Sequence, residues 1–362
     1  MAHLDFGATG NARELCLAGW STQEPNCRWM AGNSTTVSVP ALPPDGGCVF
    51  LKLQARGNRE RLTVMLDGVE LGRCTVSHPW SDPIWYGFPC PPRRETADGS
   101  HVLELIHETG PGPATDDADD GGRGAPALSA SEMLVLPWRP FAHGERVRAP
   151  AATPPAEAAE RKALAMRFQS LGENCEFGMV QRRCGAEPVD PFRFASIYLP
   201  RLVEGLECAF ADLGDGGLQF VRDKGNEWHG HHRKYGLAYH TFMRDESLPG
   251  GFVESERRRL ASLGRSLSEQ LASAGKIFVI QRPGMSLAQV LPILRLLRMY
   301  SERNRLLWVL PAQTPEKIGQ VELLDSRFAM GFIDRLAPGE HVPDLSFDVW
   351  LQICATAAQA LR

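Results

Sequence analysis

The chain has 362 residues, 43% hydrophobic and 23% charged, with a formal net charge of −4. That length suggests two domains with a core large enough to fold without staples. The charge balance argues against a nucleic-acid-coating or polybasic membrane protein, and no apolar run approaches the ~18 residues of a membrane span. From Trp20 to Leu136 the chain is rich in Gly, Pro and short β-like runs. These predict strands at Thr36–Pro40, Cys48–Ala55, Arg61–Asp67, Glu70–Val76, Ile84–Phe88, His101–His107 and Met133–Leu136. Asp67-Gly68 sits between two of them and fits the positive φ angles of a type I′ hairpin. About seven short strands favour a β-sandwich over residues 1–138. The acidic, low-complexity stretch Gly110–Gly124 reads as a solvated loop, since it lacks the EF-hand spacing and its closing Glu.

Residues 139–158 read as a linker. An α/β domain is expected over 159–362, with an Ala-rich helix starting near Ala156. Strands are predicted at Arg167–Leu171, Tyr235–His240, Lys276–Gln281, Arg305–Leu310 and Arg327–Ile333. Helices are predicted at Glu173–Cys184, Val253–Ala274, Ser286–Glu302, Pro315–Leu324 and Phe347–Leu361. Strand, helix, strand in alternation implies a mostly parallel sheet.

The segment around Cys175 is the most informative. An apolar strand runs into a turn at Gly172, Asn174 offers an N-cap, and a helix follows, ending at Gly185. That places Cys175 in a first turn, where unpaired N–H groups and the helix dipole favour a thiolate. The same N–H groups, with Asn174 or Gln169, would stabilise an oxyanion. His240, at a strand end, is the candidate base. Asp348, Asp344 and Asp334 are the candidates to orient its ring. Arg182 and Arg193 would hold an anionic substrate group, and Arg183 reads as a solvated helix residue. Trp228-His229-Gly230-His231-His232 reads as a substrate-facing loop. No metal and no other cofactor is assigned: only the carboxylates Glu227 and Asp223 stand at a ligand spacing nearby, and His231 and His232, being adjacent, point different ways.

Nine cysteines with no CxxC pair predict mostly small buried thiols. The first 20 residues show no basic stretch leading into an apolar run, so no secretory signal and a cytoplasmic location are expected.

Two resemblances add to this reading. Ser170-Leu171-Gly172-Glu173-Asn174-Cys175, with Pro191-Phe192-Arg193-Phe194, Tyr239-His240 and Phe278-Val279-Ile280-Gln281-Arg282, resembles an uncharacterised bacterial family described as papain-like cysteine peptidases. The likeness runs from Phe168 to Cys354 and marks a divergent member. It implies Cys175 as nucleophile and His240 as its base. Gly19-Trp20-Ser21, Glu24-Pro25 and Arg28-Trp29-Met30 resemble the opening of small β-sandwich domains found beside bacterial glycosyltransferases and surface-polysaccharide enzymes. Trp80 and Trp85, in a Pro/Ser/Asp-rich stretch, are the aromatic candidates for a sugar face, and Trp20 and Trp29 read as core.

The expectation is a thiol-dependent hydrolase or acyltransferase acting on a glycan or glycoconjugate, with a glycosyltransferase as possible partner. The alternatives are a non-catalytic glycan-binding or assembly protein, and a glycosyltransferase-like sugar-modifying enzyme. No Gly-rich phosphate fingerprint supports the last.

Overall fold

Residues that alternate apolar and polar between 34 and 136 build two antiparallel sheets. A computed structural model describes residues 2–31, 33–39, 42–55, 60–76, 83–92, 100–108, 128–140, 146–215, 217–223, 225–337 and 344–361. The expected loop Gly110–Gly124 and Trp80 lie outside the described residues. The chain divides into two compact units, Met1–Pro140 with Ser286–Pro292, and Phe141–Met285 with Ile293–Arg362.

The first unit holds β1 (Ala2–Asp5), β2 (Cys16–Ala18), β3 (Trp20–Gln23), β4 (Arg28–Met30), β5 (Ser34–Val39), β6 (Gly47–Ala55), β7 (Glu60–Leu66), β8 (Val69–Val76), β9 (Ile84–Cys90), β10 (His101–Glu108) and β11 (Leu128–Leu136). One sheet runs β3-β4-β11-β6-β9 with β1 also on β11, and the other runs β2-β5-β10-β7-β8. The seven expected strands are all present. Strands β1 to β4 were missed, because three or four residues are too few to display a period. Asp67 (φ 48°) and Gly68 (φ 76°) form the expected hairpin turn. Alternate residues Val37, Val39, Leu62, Val64, Leu66, Leu103 and Leu105 are buried on one sheet, and Leu51, Leu53, Tyr86 and Phe88 on the other. Trp29 is buried, and Trp20 is half-buried with its ring 5.1 Å from Phe6 and its Nε1–H on Thr36 O. Both therefore serve packing, as read.

The second unit contains β12 (Val147–Arg148), α1 (Ala158–Ala165), β13 (Phe168–Ser170), α2 (Glu176–Arg183), β14 (Ala195–Ser196), α3 (Leu199–Glu207), β15 (Leu218–Arg222), β16 (Trp228–His232), β17 (Leu237–Met243), α4 (Phe252–Ser273), β18 (Ile277–Gln281), β19 (Arg305–Pro311), β20 (Val321–Asp325), β21 (Phe328–Ile333) and α6 (Phe347–Ala360). Helix α5 (Leu287–Tyr300) contains Pro292. One sheet runs β12-β20-β21-β19-β18-β13. Strands β13, β18, β19 and β21 pair in parallel, but β20 is antiparallel to β21 and β12 to β20. The sheet is thus mixed: a parallel run of four strands carries an antiparallel edge that the expectation of a mostly parallel sheet did not include.

Two local misreadings explain the difference. The helix expected over 315–324 is one 3-10 turn at Pro315–Lys317 followed by β20, because Gly319 at φ 76° stops the helical path. Within the expected linker, Val147 and Arg148 pair with Leu323 and Glu322. Phe168, Phe177, Val180, Ile277, Val279, Leu307, Val309, Trp350 and Ile353 form the core here.

A second sheet, β14-β17-β16-β15, is antiparallel throughout. Its β16 is the His-rich stretch expected to be a loop. It is a strand because it pairs on both edges, and because Gly230 leaves room for the Tyr239 ring, which a Cβ would meet at 2.2 Å.

Candidate functional site

The turn after β13 is tight and strained. Gly172 has φ 85°, and a Cβ there would lie 2.7 Å from Ile197 Cγ2. Glu173 follows at φ 101°, a costly conformation for a residue with a side chain. An ion pair with Arg282 at 2.5 Å holds it, and Arg282 Nη2 also donates to Ile197 O at 2.7 Å. Burial outweighs this partner and pushes the Glu173 carboxyl up. Asn174 Oδ1 accepts from Glu176 N–H and from Gln281 Nε2, both at 2.9 Å. Asn174 therefore meets one open N–H group from a residue upstream of the cap. Cys175 is itself the N-cap residue, one position ahead of the expected first turn. Glu176 is fully buried and accepts from Trp350 Nε1 (2.9 Å) and Ala337 N–H (3.0 Å), which ties the start of α2 to α6.

The Cys175 thiol is half-buried. Burial first, and the charge of Glu227 second, push it up to about 11, with Arg182 acting in the opposite sense. This overturns the expectation of a lowered thiol pKa: desolvation beside a carboxylate outweighs the favourable cation and the helix terminus. The other thiols are also free, and Cys48, Cys74, Cys90, Cys184 and Cys354 are buried, as expected of small apolar residues.

His240 sits on β17 directly across from His229 on β16, so both rings share one face, with centroids 4.5 Å apart. Glu227, just before β16, is buried at 7% exposure. Its Oε1 lies 3.0 Å from His240 Nδ1 and accepts the Phe242 N–H at 3.1 Å. This contact orients the His240 ring. Phe242, at φ 59°, is bent toward the carboxylate. His229 Nε2 contacts Asp223 Oδ2 at 3.1 Å. Asp223 Oδ1 in turn accepts the Glu227 N–H at 2.8 Å. The Arg182 guanidinium lies 4.3 Å from the Phe194 ring centroid and 5.3 Å from that of Phe242. His240 and Phe242, with Phe194, Tyr239 and Arg259, line a pocket.

The structure thus brings Cys175, Asn174, Arg182, His229 and His240 into one region, with Glu227 as the member that sequence reading did not assign. Among the described residues, the hydrogen-bond partner of His240 is Glu227 rather than Cys175. The expected orienting acids are elsewhere engaged or exposed. Asp348 is exposed in the first turn of α6, Asp344 pairs with Arg335 at 2.8 Å, and Asp334 is exposed. Arg193 is buried, pairs with Glu187 and donates to Ala186 O at 2.9 Å, so its charge is met within the fold. Trp228 donates its Nε1–H to Asp245 O at 3.0 Å. Gln169 is fully buried in β13, beneath the turn.

On the first unit, Trp85 is half-buried and lies opposite Lys52, which lies opposite Glu132. Lys52 Nζ is 5.6 Å from the Trp85 ring centroid and 2.9 Å from Glu132 Oε1, and His3 Nε2 is 3.2 Å from Glu132 Oε2. Burial opposes the Glu132 charge, yet Lys52 and His3 hold its carboxyl below the usual range.

No family model matches the chain, and no curated protein does. Among solved structures, a CBM36 carbohydrate-binding module in complex with calcium and xylotriose is 10% identical, with a TM-score of 0.25, and covers 37% of this chain and 98% of its own. A family 6 carbohydrate-binding module from Clostridium cellulolyticum in complex with xylose is 11% identical (TM-score 0.26; 37% of this chain and 96% of that one). A family 35 carbohydrate-binding module from an environmental isolate is 15% identical (TM-score 0.24), covering 38% of this chain and 93% of its own. These are among the solved structures to which part of the chain is similar.

Proposed function

We propose that this protein recognises a saccharide through its β-sandwich unit. The observation that carries the reading is the row Trp85, Lys52 and Glu132 across three neighbouring strands β9, β6 and β11. An indole offers an apolar face to a pyranose ring, and an ammonium and a carboxylate beside it offer a donor and an acceptor for sugar hydroxyls. The test uses the full chain on a panel of immobilised oligosaccharides. Binding to at least one class is expected, and Trp85→Ala should weaken it about tenfold or more, which is ~1.4 kcal/mol. Unchanged affinity in that variant would remove the row from the reading.

A second reading is favoured by one observation, the buried Glu227 carboxylate that fixes the His240 ring. In it, the α/β unit attacks an ester, thioester or amide of a glycoconjugate with Cys175. His240 Nε2 takes the thiol proton and gives it to the leaving alcohol, thiol or amine as the acyl–Cys175 thioester forms. Water or an acceptor hydroxyl then takes the acyl group from the sulfur, and Glu227 fills the orienting role expected of Asp348, Asp344 or Asp334. The attacking thiolate is generated at the moment of reaction rather than stored, in keeping with its raised pKa. A place in surface-polysaccharide metabolism, with a glycosyltransferase as partner, belongs to this reading through the resemblances alone.

A further inference from the structure

We propose that Glu227, His229 and His240 bind one divalent transition-metal ion of the zinc class. This goes beyond the saccharide reading and is independent of it. Each of the three side chains offers one ligand atom, and those atoms all lie within 4.8 Å of one another. The sheet itself sets up the cluster. The antiparallel register puts His229 opposite His240, so two imidazoles leave adjacent strands on one face.

One of the distances already suits shared ligation. His240 Nδ1 and Glu227 Oε1 are 3.0 Å apart, close to the ~3.3 Å edge of a tetrahedron with ~2.0 Å bonds. A cation bound by these two atoms displaces the hydrogen bond between them, and its proton is released to solvent. The surrounding groups are those that fix metal ligands. Asp223 Oδ2 lies 3.1 Å from His229 Nε2, a carboxylate contact of the kind that orients a metal-binding imidazole. Phe242 N–H anchors Glu227 Oε1 at 3.1 Å. Two imidazole nitrogens and one carboxylate oxygen suit zinc and neighbouring first-row ions, and three protein ligands leave a position open. Burial of Glu227 adds a reason for a cation, because a desolvated carboxylate gains most from a counter-charge.

The proposal and the thiol reading make different use of His240, as a ligand in one and a base in the other. The test is made on the metal-stripped full chain, titrated with Co2+ alone by absorbance and with Zn2+ alone by calorimetry. One equivalent is expected. Glu227→Gln and His229→Ala should each weaken binding by at least about tenfold. His231→Ala, two residues along the same strand and outside the cluster, should bind as the natural chain does. Urea midpoints of all variants show which are folded. Because His229 is only half-buried, His229→Ala keeps the test decisive where Glu227→Gln does not fold. Failure of the natural chain to bind one equivalent, wild-type affinity in folded His229→Ala, or equal loss in His231→Ala would overturn the proposal. None of these outcomes bears on the saccharide experiment.

Discussion

At Cys175 two neighbouring charges pull the thiol in opposite directions. Burial sets the high starting point, Glu227 raises it further and Arg182 lowers it. Iodoacetamide labelling of the Cys175 peptide, followed by mass spectrometry across pH 6–10, reads this balance. The rate should still be rising at pH 10. Glu227→Gln should speed labelling at pH 8, and Arg182→Ala should slow it. A plateau near pH 7, with fast labelling at neutral pH, would mean a stored thiolate and restore the expectation drawn from helix position. That expectation failed for a specific reason. Sequence shows that Cys175 starts a helix, but not that Glu227, 52 positions along the chain, brings its carboxylate near the sulfur. Sequence singles out His240, while Glu227 stands there only as a nearby carboxylate without an assigned role. Cross-strand register, not spacing along the chain, brings them together.

Among the elements, α2 depends on a close backbone approach. A Cβ at Gly178 would sit 2.0 Å from Arg193 O. Alanine is favoured over glycine in a helix by ~1 kcal/mol, but such overlap with backbone costs about 1–3 kcal/mol. Gly178→Ala should therefore lower the urea midpoint, and a rise would show that the Phe192–Phe194 segment yields freely. Strands of six or more residues were legible in the first unit, because alternation set by one buried face is visible over that length. In the second unit β18 and β19 were legible as continuous apolar runs, and α4 from Leu260, Leu267 and Leu271 on one stripe. Helix α3 and strands β15 and β16 were not. Gly, His and Arg residues around 214–236 mask the period, and the strand character of β16 comes from its two neighbours rather than its own composition.

For the whole molecule, the buried Asp190 is one group that makes stability depend on pH. Asp190 is buried, which pushes its carboxyl up to about 7 despite N–H donors from Phe192 and Ser170 and the charges of Arg193 and Lys276. Unfolded, the group titrates near ~3.9. Between these values the folded chain keeps a proton that the unfolded chain releases. Its contribution is therefore complete below about pH 4 and is lost as pH rises through 7. Asp190→Asn stays neutral throughout, so its urea midpoint should fall less between pH 5.5 and pH 8 than that of the natural chain. Equal falls would place the source elsewhere. The architecture of the second unit has a separate consequence. The chain leaves its mixed sheet at the end of β13 and returns at the start of the adjacent parallel strand β18, so the two feet of this excursion stand on neighbouring strands, offset by the length of β13. Its exposed stretch 244–250 links β17 to α4. Extra residues spliced in there would lengthen a surface connection without shifting either foot, so that variation in loop size and retention of the parallel register are compatible in one chain.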